Sequence, residues 1–283
     1  MIIGKSGYIA HALAAYLDGQ GHKVRAVGSD ECDFRDKDSV RSFFSTLEPD
    51  LWTVVVTAAV GRLVANDHRS FLDNLAISRN CATYLPQDLV HKLIFLSSSD
   101  VYGLTPPIPL VEDSPIAVHD PYGLSKYVSE RIFMDKFSAS LPLAILRLPG
   151  VYGKGFADRS VVARFAHFMK ERRTVTLSAQ GQPLRDFVHV EDLCCFIEQV
   201  STSSVEGVFN VATGVSFSMK DIAFGLADAL DCRSLVLLDK TNTPRDFDLV
   251  FDTRKIKTLF PQFKFRPLSE GLLPYCQAAV VTP

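Results

Sequence analysis

A tyrosine and a lysine four positions apart, Tyr122 and Lys126, are the first pair of side chains in this sequence that could carry out chemistry together. Asp120 and Pro121 precede them and predict a helix start, with the aspartate as N-cap and the proline as first helical residue. A spacing of four places both side chains on one helical face. The ammonium and the positive helix end favour the phenolate, so we expect Tyr122 to exchange a proton with a substrate hydroxyl near neutral pH. A buried tyrosine beside a solvated lysine is the simpler interpretation.

A hydroxyl-rich segment lies upstream of this pair, in the run Phe95-Leu96-Ser97-Ser98-Ser99-Asp100-Val101-Tyr102-Gly103. Its apolar beginning predicts a strand, and doubly wound sheets build their sites at the carboxyl ends of strands. A serine in this loop could therefore hydrogen-bond the same substrate oxygen that Tyr122 protonates. A serine-rich turn without a catalytic role is the alternative.

A glycine-containing segment, Gly4-Lys5-Ser6-Gly7-Tyr8-Ile9-Ala10, follows an apolar strand and opens a predicted helix. The glycines permit a tight turn that brings backbone close to a pyrophosphate at the helix N-terminus, and Ala10 permits close packing of helix on strand. The segment therefore predicts a dinucleotide site, although small residues are common in turns of other kinds.

The end of the second predicted strand, Val27-Gly28-Ser29-Asp30, bears on which dinucleotide binds. An acid at such a strand end binds the ribose 2′-hydroxyl of NAD, whereas a small residue with a nearby cation admits the 2′-phosphate of NADP. Asp30 suits the first role but lies slightly late. Ser29 with Lys5 suits the second role, but no arginine is well placed. The sequence leaves NAD and NADP open.

The elements that must position these residues alternate along the first half of the chain. The predicted strands are Met1–Ile3, Lys23–Val27, Thr53–Thr57, Leu93–Ser97 and Ala144–Leu148, and the predicted helices are Ile9–Asp18, Asp38–Leu47, Phe71–Leu85 and Tyr122–Phe137. This alternation predicts an α/β fold with a doubly wound parallel sheet, a Rossmann domain over residues 1–150. Residues 151–283 are expected to form mainly a smaller C-terminal substrate-binding lobe, with residues 187–212 returning to the first domain. Because the first strand is short, we expect the chain to begin later than is usual for this fold.

The composition limits the classes of function. The 283 residues include 30 basic and 32 acidic side chains, so charge gives no reason to expect a nucleic-acid or membrane partner. Apolar runs stay well short of the roughly 20 residues that a membrane helix needs. Six cysteines without C-x-x-C spacing and seven scattered histidines predict free thiols in a reducing cytoplasm and no metal site.

Five short motifs follow one another along the chain. They are Gly4…Gly7…Ala10, the Ser-Ser-Ser-Asp-Val-Tyr-Gly stretch, Pro-Tyr-Gly-Leu-Ser-Lys, Leu146-Arg147-Leu148-Pro149-Gly150-Val151-Tyr152-Gly153 and Arg185-Asp186-Phe187-Val188-His189-Val190-Glu191-Asp192-Leu193. In this order they resemble the extended short-chain dehydrogenase/reductases, the NAD-dependent epimerase/dehydratase family that modifies nucleotide sugars. The resemblance covers nearly the whole chain, and it implies a Rossmann domain, a small substrate lobe, and NAD or NADP as cofactor.

The resemblance implies a role for each matching residue. Ser98, Tyr122 and Lys126 match the catalytic set, and Lys126 also holds the nicotinamide ribose. The cofactor-binding residues that it implies are Gly4, Lys5, Ser6, Gly7, Tyr8, Ile9, Ser29, Asp30, Asp33, Phe34, Ala58, Ala59, Tyr122, Lys126 and Pro149. Asn74 matches an asparagine that lines the substrate site, and His189 is interpreted as structural.

Two arginines point to the substrate. Arg185 matches an arginine that binds the diphosphate of nucleotide sugars, and Arg245 resembles a second one. A guanidinium binds phosphate oxygens bidentately and stays charged, whereas a surface arginine paired with its adjacent aspartate is the alternative. Gly150 stands where many family members carry an asparagine that contacts the substrate, so neither base nor sugar is predicted. The expected reaction is hydride transfer by an epimerase or a 4-keto-reductase.

Asp100 is the least ordinary residue of the serine loop. A carboxylate beside a transient 4-keto sugar could deprotonate the neighbouring carbon if an apolar site raised its pKa, and capping of a turn is the alternative. The family also implies a homodimer through the helices near Phe71–Leu85 and Tyr122–Phe137. Two rival functions stay open: a dehydrogenase or reductase of a non-sugar alcohol or ketone, and a non-catalytic NAD(P)-binding regulator, which would have no need of the catalytic set.

Overall fold

A computed structural model describes residues 1–104, 107–154, 160–239 and 247–277 of the chain. Its strands in these ranges are β1 (Ile2–Ile3), β2 (Ala26–Val27), β3 (Trp52–Val56), β4 (Val90–Ser98), β5 (Leu143–Leu148), β6 (Gly150–Tyr152), β7 (Val175–Leu177), β8 (Leu184–Arg185), β9 (Phe187–His189), β10 (Gly207–Asn210), β11 (Phe217–Ser218) and β12 (Val236–Leu238). Its helices there are α1 (Tyr8–Gly19), α2 (Lys37–Ser45), α3 (His68–Tyr84), α4 (Pro121–Phe137), α5 (Val161–Lys170), α6 (Val190–Thr202), α7 (Met219–Ala229), α8 (Arg254–Leu259) and α9 (Leu268–Gln277).

Six strands form one parallel sheet in the order β10-β5-β4-β3-β1-β2. β1 lies between β2 and β3, so the chain moves to one side of β1 first and to the other side afterwards. Open α/β sheets bind ligands at the carboxyl ends of the strands where the order reverses in this way. The arrangement confirms the predicted doubly wound α/β fold and places the glycine turn, which follows β1, at the reversal.

Helices cover both faces of the sheet. α2, α3 and α4 pack on one face with a core that includes Val40, Ile77 and Phe133. α1 and α6 pack on the other, with Leu13 and Phe196 among the buried residues. β5 is buried at all of its positions and β4 at all but one. Strands buried on both faces have continuous apolar sequences, which is why the sequence pattern located them.

Aspartates begin the helices on the first of these faces. Asp36 caps α2, Asp67 forms a capping box with Ser70 at the start of α3, and Asp120 caps α4 as predicted. α1 differs because Gly7 provides no side-chain cap and the first turn contains no acid. The start of α1 is therefore available to an external anion.

The chain after β5 contributes to two layers. β10 joins the main sheet beside β5, and α6 packs against α1. α5, α7 and α9 enclose a separate core, which includes Val162, Leu226 and Leu272. Three two-stranded ladders pair β6 with β9, β7 with β12 and β8 with β11. The ladder of β7 and β12 packs in the same separate core.

Candidate active site

The start of α4 presents Tyr122 and Lys126 beside the carboxyl end of β4. Asp120 holds this turn by accepting the N–H of Gly123 at 2.7 Å. Lys126 is 5 % exposed, and its Nζ donates to the carbonyl oxygen of Leu96 at 2.7 Å. The same Nζ lies 5.9 Å from the centroid of the Tyr122 ring. Burial lowers the pKa of Lys126 to about 8.

The protein's own groups raise the pKa of Tyr122. Burial is the largest cause, the carboxylates of Asp100 and Asp120 add to it, and the guanidinium of Arg62 opposes it. Lys126, which is buried and bonded to a backbone carbonyl, is not among the groups that shift this pKa, and its effect on the phenolate stays a prediction.

The serine loop, residues 97–103, holds the second predicted catalytic group. Ser98 ends β4, and Ser99–Tyr102 forms a turn of 3-10 helix. The Oγ of Ser98 accepts the N–H of Asp100 at 3.1 Å, and its hydroxyl group lowers the pKa of Asp100 against the larger opposing effect of burial. Gly123 lets α4 lie directly on this turn, since a Cβ there would be 2.8 Å from the carbonyl oxygen of Asp100. This close approach brings Ser98 and Tyr122 into one cavity.

Asp100 faces the same cavity with its carboxylate. The Oδ1 atom lies 3.4 Å from Nη1 of Arg62, and the side chain is 14 % exposed. Burial raises the pKa of Asp100, and the positive charge of Arg62 lowers it to a smaller extent. The hydroxyl of Ser98 caps the turn, whereas the carboxylate of Asp100 contacts Arg62. The role of Asp100 stays a prediction.

The cavity has a volume of about 560 Å³, which is in the range of small-molecule sites. Ser98, Asp100 and Tyr122 line its first-domain wall, and Pro149 lines it just beyond the end of β5. The lobe wall consists of Val161, Phe165, Thr176, Leu177, Ser178, Gly181, Pro183, Arg185, Asp186, Phe187 and Met219. Ser98 and Tyr122 thus share a cavity with Arg185, which is predicted to bind the diphosphate.

Arg185 lies in β8 on the lobe wall. Its guanidinium stacks on the ring of Phe247, 4.7 Å from the centroid, and donates to the carbonyl oxygens of Leu184 and Phe247. These contacts hold the charged group at the cavity. Arg245, the second predicted arginine, lies outside the described residues.

Gly150 leaves space for an aromatic ring on the lobe wall. A Cβ at this position would lie 2.6 Å from two ring atoms of Phe187. That ring is 7 % exposed and meets Tyr152 edge to face at 6.4 Å. An apolar ring therefore lies at the position where the resemblance implies an asparagine.

The glycine turn after β1 fits a pyrophosphate. Gly4 has a φ of +112°, and a Cβ there would lie 2.6 Å from Oγ1 of Thr57 and 2.7 Å from the nitrogen of Ala58. Only glycine combines this backbone conformation with so close an approach. The uncapped start of α1 at Gly7 then directs backbone N–H groups outward, as anion sites at helix N-termini do.

Lys5 and Asp30 lie together beside this turn. Their charged atoms are 2.9 Å apart, both side chains are exposed, and the hydrogen bond from Lys5 lowers the pKa of Asp30. The Oδ1 atom of Asp30 lies over Gly28, where a Cβ would be 2.7 Å away. The other predicted cofactor residues near the turn are exposed Ser6 and Ser29 and partly buried Tyr8, Ile9, Ala58 and Ala59.

Asp33 and Phe34 are engaged within the protein. Both oxygens of Asp33 accept hydrogen bonds from the guanidinium of Arg35, at 2.9 and 2.8 Å. The Phe34 ring is 5 % exposed and packs edge to face against Phe43 and Phe44 in the core. The side chain of Phe34 therefore packs in the core and anchors the loop near the predicted adenine site.

Asn74 lies in α3 and is 4 % exposed. Its Oδ1 accepts the N–H of Val60 at 2.7 Å, while Nδ2 donates to the carbonyl oxygen of Val60 and to Oγ of Ser125. The amide thus ties the loop after β3 to α4, a placement that supports a positioning role rather than substrate contact. His189 is also structural as interpreted, since its Nδ1 accepts the N–H of Glu191 at the start of α6.

Four residues of the site were not predicted from the sequence. They are Arg62, Leu63 and Phe187, which line the cavity, and Asn66, which contacts the start of α4. The first two follow the carboxyl end of β3, the sheet edge at which such folds build sites. That position was the available signal, but none of the five motifs includes this loop.

A family model described as the NAD dependent epimerase/dehydratase family matches residues 1–212. The chain belongs to this family, which confirms the resemblance, the enzyme class and the prediction of a nicotinamide dinucleotide cofactor. The chain is also similar to individual proteins, among them enzymes whose names include a nucleotide sugar.

The chain is 28 % identical to UDP-glucose 4-epimerase of Bacillus subtilis, over 78 % of this chain and 79 % of the relative. It is 22 % identical to GDP-L-fucose synthase of Dictyostelium discoideum, over 98 % and 93 %. The fold matches the Bordetella bronchiseptica enzyme WbmG, solved with NAD and UDP, with a TM-score of 0.81, 23 % identity and coverage of 97 % and 93 %.

Among the described residues, none of the helices is both long enough and apolar enough to cross a membrane.

Proposed function

We propose that this enzyme is a nucleotide-sugar epimerase or 4-keto-reductase that works by hydride transfer. The observation that carries the proposal is the cavity shared by Ser98, Tyr122 and Arg185. A sugar against the first-domain wall and its diphosphate against the lobe wall would belong to one nucleotide-sugar molecule. The similarity to a UDP-glucose 4-epimerase and to a structure that contains UDP supports this substrate class.

Three side chains have different roles at the reacting sugar oxygen. When bound, the dinucleotide supplies the acceptor or donor of the hydride at the sugar carbon. Tyr122 accepts the hydroxyl proton on its Oη as the alcohol becomes a ketone, and it returns the proton in the reverse direction. Ser98 donates its hydroxyl proton in a hydrogen bond to the same oxygen when the substrate is bound. Lys126 holds the tyrosine from beneath and offers N–H groups to the cofactor ribose.

The residues beside the glycine turn favour NAD over NADP. The pairing with Lys5 holds the carboxylate of Asp30 beside the turn, where it could accept the ribose 2′-hydroxyl. An added 2′-phosphate would meet a lysine whose charge is already matched by Asp30. We therefore expect NAD to stabilise the protein against heat more than NADP does at equal concentration.

The two rival functions make different use of the same cavity. A dehydrogenase of a non-sugar alcohol needs Tyr122 but gives Arg185 no diphosphate to bind. A regulator needs the glycine turn but neither Ser98 nor a proton-exchanging tyrosine. The presence of both the catalytic set and an arginine in one cavity therefore favours the nucleotide-sugar enzyme.

A panel of UDP, GDP, CDP and dTDP and their hexose conjugates tests the proposal. Each compound is scored by thermal stabilisation with NAD or NADP present, and stabilising sugars are then followed by product analysis. Ligand at about 100 times its dissociation constant adds about 2.7 kcal/mol of stability. At least one nucleoside diphosphate should stabilise the protein, and its sugar conjugate should be converted. Stabilisation by no member of the panel would refute the nucleotide-sugar assignment.

The six cysteines are free thiols, which supports a reducing, cytoplasmic location. We also propose a homodimer through α3 and α4. Leu72 on α3 is 50 % exposed and Leu124 on α4 is 37 % exposed, so both helices present apolar surface, whereas Phe133 is buried against the sheet. Light scattering at micromolar concentration should give twice the mass of the 31.3 kDa chain, and a monomer at that concentration would refute this assembly.

A further inference from the structure

Arg62 lies on the rim of the cavity, in the loop between β3 and α3. Its Nη1 is 3.4 Å from Oδ1 of Asp100, and its Nε is 3.5 Å from Oδ2 of Asp120. The arginine is 42 % exposed, whereas the two aspartate side chains are 14 % and 11 % exposed. One accessible cation thus faces two nearly buried carboxylates that come from different elements.

Asn66 fastens the same loop to the start of α4. Its Oδ1 accepts the N–H of Tyr122 at 2.9 Å, and its Nδ2 donates to Oδ2 of Asp120 at 3.3 Å. Arg62 and Asn66 therefore both contact the N-cap residue of the helix that carries Tyr122. The loop after β3 holds the turn on which the predicted proton transfer depends.

The charges of the groups in this region affect the ionisation of the Tyr122 phenol. The charged and titratable groups around Tyr122 are Arg62 from the loop after β3, Asp100 from the serine loop, His119, Asp120 and Lys126 from the start of α4, and Arg185 and Asp186 across the cavity. Asp100 and Asp120 raise the pKa of Tyr122, and Arg62 lowers it. Two carboxylates without a matching cation would oppose formation of a third negative charge on the phenol.

We propose that Arg62 is a positioning residue of the proton-transfer site, which orders Asp100 and Asp120 and offsets their negative charges beside Tyr122. This role rests on the proposed function, in which Tyr122 exchanges a proton with the substrate. Arg62 is 42 % exposed, and Arg62→Gln keeps a hydrogen-bond donor for the two carboxylates, so the variant should stay folded.

The test is a titration of Tyr122 in the NAD-loaded protein that carries ring-¹³C tyrosine, with Tyr122→Phe used to identify its NMR signal. The variants are Arg62→Gln and Arg62→Lys. The matched control is Arg69→Gln, which removes the same charge from an exposed position in α3. We expect Arg62→Gln to raise the pKa of Tyr122 by about one unit, and Arg62→Lys and the control to leave it near the wild-type value.

The pH dependence of turnover gives a second measure of the pKa of Tyr122. Oxidation of the sugar hydroxyl requires the phenolate, so the pH of half-maximal rate should move upward in Arg62→Gln by the same amount as the NMR pKa. An unchanged Tyr122 pKa in folded Arg62→Gln would overturn the proposal. Because the titration does not need turnover, a shifted pKa supports the role of Arg62 even if no nucleotide sugar is converted, and that result would refute the proposed function alone.

Discussion

The two walls of the cavity are held in different ways. On the first-domain side, Ser98 is fixed by an N–H two residues away, and Asp120, which caps the helix of Tyr122, is fixed by an N–H three residues away. On the lobe wall, Arg185 is held by Phe247 across 62 residues of sequence. Motifs therefore locate the chemistry of the first wall, whereas recognition on the second depends on contacts that join distant segments. The difference predicts that substitutions on the first wall affect turnover and those on the second affect binding.

The largest effect is expected from Tyr122→Phe. The ring keeps its packing and only the transferable proton is lost, so turnover should fall by about 10²- to 10⁴-fold while cofactor binding is kept. Tyr127→Phe on the same helix is the control, because Tyr127 packs against a separate core around Val101 and Tyr102. Steady-state rates with a stabilising nucleotide sugar measure both. Wild-type turnover in Tyr122→Phe would exclude this residue from proton transfer.

Arg185→Ala tests the lobe wall, where we expect a substitution to weaken binding of the nucleotide. Loss of the guanidinium should remove most of the roughly 2.7 kcal/mol of stabilisation that a saturating nucleoside diphosphate gives, and should leave NAD stabilisation intact. Arg233→Ala is a matched control in the same lobe, since Arg233 also stacks on a phenylalanine, Phe224. Thermal shifts with and without nucleotide measure the effect. Equal nucleotide responses in Arg185→Ala and the wild type would remove the arginine from the diphosphate site.

A smaller effect is expected from Asp100→Asn, which keeps the shape and removes the charge. We propose that the buried carboxylate takes a proton from the carbon next to a transient 4-keto group. Burial raises the pKa of Asp100, which brings it closer to the strength that a base near neutral pH needs. In deuterated water the wild type should then incorporate deuterium at a ring carbon, and the variant should not. Absence of deuterium in both proteins, with equal turnover, would leave simple hydride transfer as the chemistry.

Much of the fold could be predicted because its signals are local. The strands β4 and β5 are buried on both faces and read as apolar runs. The N-cap role of Asp120 and the glycine requirement at position 4 follow from backbone rules that a sequence displays directly. The same locality explains why Ser98 and Tyr122 were found from short motifs.

The remaining features depend on packing that no short segment encodes. Phe34 was expected at the cofactor but packs with Phe43 and Phe44, because its loop turns the ring into the core. The pKa of Tyr122 was expected to be lowered, whereas burial and two carboxylates raise it. Arg62 could not be recognised because its partners, Asp100 and Asp120, are distant in sequence and meet only in the folded chain.

Formation of reduced nicotinamide is the most direct test of hydride transfer at this site. NAD-loaded protein is mixed rapidly with a nucleotide sugar that stabilises it, and the absorbance of the reduced ring is followed within one turnover. We expect a transient rise in the absorbance of reduced nicotinamide in the wild type. In Tyr122→Phe this rise should be slower by about 10²-fold or more. A nucleotide sugar that is converted without any reduced nicotinamide, or at equal rates by both proteins, would contradict this mechanism.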